Sequence, residues 1–220
     1  MATDTEALIQ NLNSDDDKVR REAILALSYD GEKVLSPLIQ AVRDDVVSVG
    51  AVSEVFKQIG EKSIDPLTDM LHSDNNDYQR KAAHILSAVG DSRALVQLII
   101  TLDDEDETVR AEVASALGGF RDSRAMGPLL KALQDNSDLV RGNAALALGN
   151  FHDEKITDAL LMSLEDKEPL VRRSAIRALA DNPAEHIVSA LTRMTRDDNE
   201  SVRQTAAAAI QHRKGDSVAF

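Results

Sequence analysis

The chain has no cysteine and no tryptophan, and only six of its 220 residues are aromatic. Without a thiol it forms no disulfide, offers no thiolate nucleophile and attaches no ligand through a thioether of its own. So few rings leave the packing to Ala and to branched Leu, Ile and Val, which predicts closely approaching helices. No run reaches the roughly 18 apolar residues of a membrane-spanning helix. The opening Met1 to Glu6 lacks a basic segment followed by an apolar stretch. A soluble, cytoplasmic protein with no membrane partner is therefore expected. Positive charge is scarce as well, with 25 Lys and Arg against 38 Asp and Glu and a net charge of −13. Because phosphate neutralisation by Lys and Arg supplies most nucleic-acid affinity, no nucleic-acid partner is expected. The deficit is uneven: residues 1–167 carry 17 basic and 31 acidic side chains, and residues 168–220 carry 8 and 7.

What the chain does contain is a period. Val47, Tyr78, Val109, Val140, Val171 and Val202 stand 31 residues apart, with Val19 as an earlier, shorter-spaced start. An arginine follows five of these seven positions: Arg20, Arg110, Arg141, Arg172 and Arg203. Four places after each start comes Ala23, Ala51, Ala82, Val113, Ala144, Ala175 or Ala206. Self-similarity at such a period is the signature of a repeat array.

Within each frame two amphipathic segments flank a short polar turn. From Val109, the residues Val113, Ala116, Leu117 and Phe120 fall at helical steps, and Met126, Leu129, Leu130 and Leu133 do so again. Each unit is thus two helices. Gly118, Gly119 and Gly149 are expected to end first helices in the left-handed conformation, and Asp91, Asp122 and Asp153 to cap second helices. Pro66 and Pro128 lie near second-helix starts, where a missing N–H costs little. The segment Thr5 to Leu12 matches a lone second helix, and that from Val202 to about Arg213 a lone first helix. These half units would cap a single domain spanning residues 1–220, with 214–220 as a short tail. Stacked units bury a ribbon-like core in which each contacts its neighbours.

The acidic clusters Asp15–Asp17, Asp103–Glu107 and Asp197–Asp198 lack the ordered oxygen ligands and turn glycine of a calcium loop. Their recurrence before first helices reads as capping and dipole complementation. The repeated arginine, one place after a buried Val, is placed to bond an inter-repeat carboxylate or a turn carbonyl and hold units in register. Ser48 and Gln79 interrupt that column, which predicts looser ties for the second and third units. His72, His84, His152, His186 and His212 fall at different places in their frames, so no metal is expected. No nucleophile, phosphate loop or paired carboxylate stands out, and neither catalytic residues nor a cofactor are expected.

The unit, as in VRRSAIRALADNP from Val171 and VRAEVASALGGFRDSRAMGPLLKAL from Val109, resembles the HEAT-like repeats first associated with phycobilin lyases. The resemblance covers nearly the whole chain and implies an all-α fold, a right-handed α-solenoid of about six helical hairpins with half-repeat caps. Deoxyhypusine hydroxylases share that architecture, but their iron sits on repeated His-Glu pairs, and this chain has no His-Glu dipeptide.

The resemblance also implies that first helices form the convex side and second helices the concave side. The solvent face of each second helix then falls at the eighteenth, twenty-second and twenty-fifth positions after the frame start. Those positions place Asp65 and Asp69 in an acidic region, Val96 and Ile100 in an apolar one, Lys131 and Met162 in a mixed one, and Arg193 and Arg196 in a basic one. Val96 and Ile100 make their helix apolar nearly all round, so they either pack against flanking helices or form an exposed strip for a peptide or helix. The expected function is non-catalytic scaffolding of a protein or peptide in the concave groove. The alternative is a phycobilin lyase-like, tetrapyrrole-handling subunit, although few rings are available to sandwich a chromophore.

Overall fold

The 31-residue period becomes a series of helical hairpins in a computed structural model that describes residues 5–182 and 184–213. The expected tail, 214–220, lies outside the described residues. Every regular element among the described residues is a helix. The described helices cluster into two compact units, one ending at Thr101 and the other beginning at Leu102.

The first unit contains α1 (Thr5–Asn11), α2 (Asp17–Asp30), α3 (Leu35–Arg43), α4 (Val49–Ile59), α5 (Ile64–Leu71), α6 (Asn76–Val89) and α7 (Leu95–Thr101). First helices α2, α4 and α6 alternate with second helices α3, α5 and α7, and α1 is the lone second helix at the start. Asp16, Ser48 and Asn75 cap α2, α4 and α6 by accepting backbone N–H groups of the first turn. Gly31, Gly60 and Gly90 follow these helices with positive φ, where glycine carries no side-chain penalty. Leu27, Leu38, Phe56, Leu67, Met70, Ile85 and Leu86 fill the interior.

The second unit contains α8 (Glu107–Phe120), α9 (Met126–Ala132), α10 (Asp138–Leu148), α11 (Glu154–Ser163), α12 (Pro169–Leu179), α13 (Glu185–Met194) and α14 (Glu200–Arg213). Val109, Val140, Val171 and Val202, the recurring frame starts, are all buried, as are Val113, Ala144, Ala175 and Ala206 one turn later. The stripe of small and branched residues expected from the composition therefore faces the interior. Asp106 caps α8, and Asp122 and Asp153 cap the turns that lead into α9 and α11.

Gly118 and Gly149 do not take the left-handed role expected of them. Gly118 and Gly119 lie inside α8, and the left-handed residue that ends this helix is Arg121. Gly149 is right-handed, with φ −59°. The reason is packing: a Cβ on Gly118 would lie 2.7 Å from Cα and Cβ of Ala147, and one on Gly149 would lie 2.8 Å from Cα of Ala178. These glycines let consecutive first helices meet backbone to backbone. Asn143 and Asn150 donate side-chain N–H groups across the same junction to the carbonyls of Ala111 and Gly118, at 2.8 and 3.1 Å.

Candidate functional site

The repeated arginines form a ladder inside the second unit. Arg110, Arg141 and Arg172 each hold, in bidentate fashion, a carboxylate 25 residues further on: Asp135, Asp166 and Asp197, with N–O distances between 2.7 and 3.0 Å. The Nη1 groups of Arg110, Arg141 and Arg172 donate to the carbonyls six and five residues back, in the turn before each helix. Arg203 donates to the carbonyls of Asp197 and Asp198 in the same way. Each of Asp135, Asp166 and Asp197 thus takes one arginine on its carboxylate and the next on its carbonyl, so successive turns are interlocked. Burial pushes these carboxyls up, but the guanidinium bonds and a backbone N–H outweigh it and hold all three below the usual carboxylate range.

The column is different in the first unit. Arg20 bonds the carbonyl of Ser14 at 2.7 Å and pairs with Asp17 of its own helix. Ser48 is a helix cap, and near Gln79 a lysine bonds back to the preceding turn. Lys81 donates to the carbonyl of Val42 at 3.1 Å and pairs with Asp45 at 2.6 Å and Asp77 at 2.7 Å. Asn13 spans to the carbonyl of Val46 at 2.7 Å. The contacts to Val42, Asp45 and Val46 join residues 33 to 39 positions apart.

All eight candidate partner-binding residues are exposed. In the first unit Asp65 and Asp69 stand one turn apart on α5, and Val96 and Ile100 one turn apart on α7. Val96 is 50% and Ile100 60% exposed. In the second unit Lys131, Met162 and Arg193 occupy equivalent positions on α9, α11 and α13, with Arg196 just beyond α13. Met162 is 77% exposed.

Two of these cations are already engaged. Lys131 pairs with Asp103 at 2.7 Å, and Arg193 with Glu165 at 2.5 Å, each reaching 28 residues back. Both pairs are largely exposed and cost little to open. Arg193 and Arg196 line a cleft of about 740 Å³ together with Lys167, Thr192 and Glu165. Asp135, Asp166 and Lys81 were not singled out from the sequence, and Asp197 was read as part of a capping cluster; the aspartate 25 residues after Arg110, Arg141 and Arg172 was the available signal. Among the described residues no three His, Asp or Glu side chains converge on a metal position, and no helix is long and apolar enough to cross a membrane.

Hairpins of a first and a second helix, capped at their turns and tied by a repeated side chain, define an α-helical repeat protein. The model of the HEAT repeats matches residues 5–87, 92–180 and 157–219, and the chain belongs to that family. Among solved structures, the complex of CpcE and CpcF of phycocyanin lyase from Nostoc sp. PCC7120 is similar at 27% identity and a TM-score of 0.58, over 67% of this chain and 97% of that one. An engineered protein matches at 22% identity and a TM-score of 0.56, over 96% and 99% of the two chains. A designed armadillo repeat protein in complex with the peptide (KR)4 matches at 21% identity and a TM-score of 0.54, over 96% and 100%. No curated protein matches the sequence.

Proposed function

We propose that the chain is a non-catalytic adaptor whose second helices present docking faces for an extended segment of a partner protein. The observation that carries this reading is the exposure of large apolar side chains on second helices whose other faces are buried: Ile100 and Met162 at equivalent positions, and Val96 one turn before Ile100. Burying such side chains is worth about 1.5–3 kcal/mol each. Asp65 and Asp69 select basic groups on the segment that meets the first unit, and Arg193 and Arg196 select acidic groups on the segment that meets the second, which fixes chain direction. The Lys131–Asp103 and Arg193–Glu165 pairs open as the partner's charges replace them.

Selection of peptides from a displayed library against the chain tests this. Enriched sequences with an apolar residue beside Lys or Arg, whose binding is lost on Ile100→Arg and weakened on Asp65→Asn with Asp69→Asn, support the reading. Enriched sequences that bind Ile100→Arg as well as the wild type contradict it.

A second reading follows from the likeness to the phycocyanin lyase complex. In it the chain is a lyase-like subunit that pairs with a second repeat protein and handles a tetrapyrrole. Visible absorbance that stays with the protein after mixing with a bilin and gel filtration distinguishes it from a colourless adaptor.

A further inference from the structure

The side of the second unit built from first helices holds a cleft lined by two arginines that its packing leaves without a carboxylate partner. Its walls are the facing surfaces of α12 and α14, and its volume is about 670 Å³. Arg173 and Arg177 line it from α12, one turn apart, and Ser201, Thr205, Ala208 and His212 line it from α14. Arg110, Arg141 and Arg172 are held by carboxylates, but Arg173 and Arg177 make no ion pair among the described residues. The Nε of Arg173 is shut off from solvent and has no acceptor. That Nε is out of reach of a ligand in the cleft, so the terminal Nη groups of Arg173 and Arg177 are the donors the cleft offers. The other guanidinium with an unsatisfied Nε is that of Arg43, which lies over the ring of Tyr78 at 5.4 Å and has that contact to account for its place.

From this we infer that the cleft binds a phosphate group. Two guanidinium groups one helical turn apart match the charge of a phosphate dianion and offer paired N–H donors to its oxygens. The hydroxyl of Ser201 lies on the facing helix and can donate to a phosphate oxygen, whereas the single O–H of Thr205 is already given to the carbonyl of Ser201 at 2.8 Å. Asp181, which also lines the cleft, stands 3.5 Å from His212, and Glu200 accepts from the amide of Gln204 at 3.0 Å, so the two guanidinium charges must outweigh these carboxylates. Ala180, Ala208 and Ala209 supply an apolar floor, and no Phe, Tyr or Trp lines the site. The site is separate from the second-helix faces and does not depend on what they bind.

Calorimetric titration of the whole chain at low ionic strength with inorganic phosphate, phosphoserine and acetate tests the assignment. Saturable binding of the phosphates, tighter than that of acetate, is expected. Tighter phosphoserine assigns the site to an ester, and tighter inorganic phosphate to the free ion. Arg177→Gln, at an exposed helical position, keeps the fold and weakens phosphate binding roughly tenfold, the effect of losing one charge-assisted bond. Arg173→Gln has the same effect without lowering the helical content. The inference is overturned if no phosphate binds saturably, if acetate binds equally well, or if Arg177→Gln binds phosphate like the wild type.

Discussion

Replacing Arg141 by Met removes one rung of the ladder while keeping an unbranched apolar stem. The Arg141 side chain is 7% exposed and that of its partner Asp166 15% exposed. The change leaves the Asp166 carboxylate with the N–H of Glu168 at 2.8 Å but no cation. It also strips a donor from the carbonyls of Asp135 and Asn136. Breaking a buried pair by removing one partner costs about 3–5 kcal/mol. The remaining N–H and residual solvent contact place this loss near the lower end, about 3 kcal/mol. By contrast, Lys131→Met removes a pair whose side chains are both 75% exposed, and such pairs contribute about 0.2–1 kcal/mol. Urea unfolding followed by far-ultraviolet circular dichroism reads both, and a double-mutant cycle with Asp166→Asn isolates the coupling. Units that contact only their neighbours lose cooperativity when an interface fails, so the Arg141→Met transition also broadens. The reasoning is refuted if Arg141→Met costs no more than Lys131→Met.

The three ladder carboxyls titrate below their ordinary value in the folded chain, so their stabilisation is complete above the unfolded carboxyl pKa of about 3.9 and is lost as pH falls through the lower folded values. Urea midpoints should therefore hold between pH 7 and 5 and drop by pH 3, with a smaller drop in Arg141→Met; an unchanged midpoint at pH 3 speaks against the ladder. Gly118→Ala should destabilise by about 1–3 kcal/mol, because the added methyl meets the backbone of Ala147. Gly50→Ala, where a Cβ meets nothing within 4 Å, should stabilise by about 0.5 kcal/mol, and equal thermal shifts for the two would argue against the close-packing role. Asp106→Ala removes the acceptor for the N–H groups of Thr108 and Val109 and should cost about 1 kcal/mol in the same unfolding assay.

The recurrence at 31 residues carried most of the architecture, because the same side chain returning once per unit, with two helical stripes between returns, leaves little choice but stacked hairpins. The caps were legible for the same local reason: Asp122 and Asp153 accept the N–H groups that the sequence assigned to them. Gly118 and Gly149 were misread because a helix-ending glycine and a close-contact glycine look alike in sequence, and the contact that separates them lies about 29 residues away, at Ala147 and Ala178. The outward face of α7 was ambiguous because an all-round apolar helix carries no periodicity to show which side is covered. Lys131–Asp103 and Arg193–Glu165 were missed because long surface side chains choose partners by reach rather than by pattern. Lys81 reaches Val42 and Asp45 from another position of the frame than the arginines, which no column comparison would find.

Affinity capture from native lysate, with wild type and the Ile100→Arg, Met162→Arg double variant side by side, addresses the adaptor reading most directly. Bound proteins are identified by mass spectrometry, visible absorbance is recorded, and helical content is checked by circular dichroism. The account predicts a protein retained by the wild type and lost by an equally helical variant, with no colour. The same protein retained by both, or a coloured species without a protein partner, contradicts it.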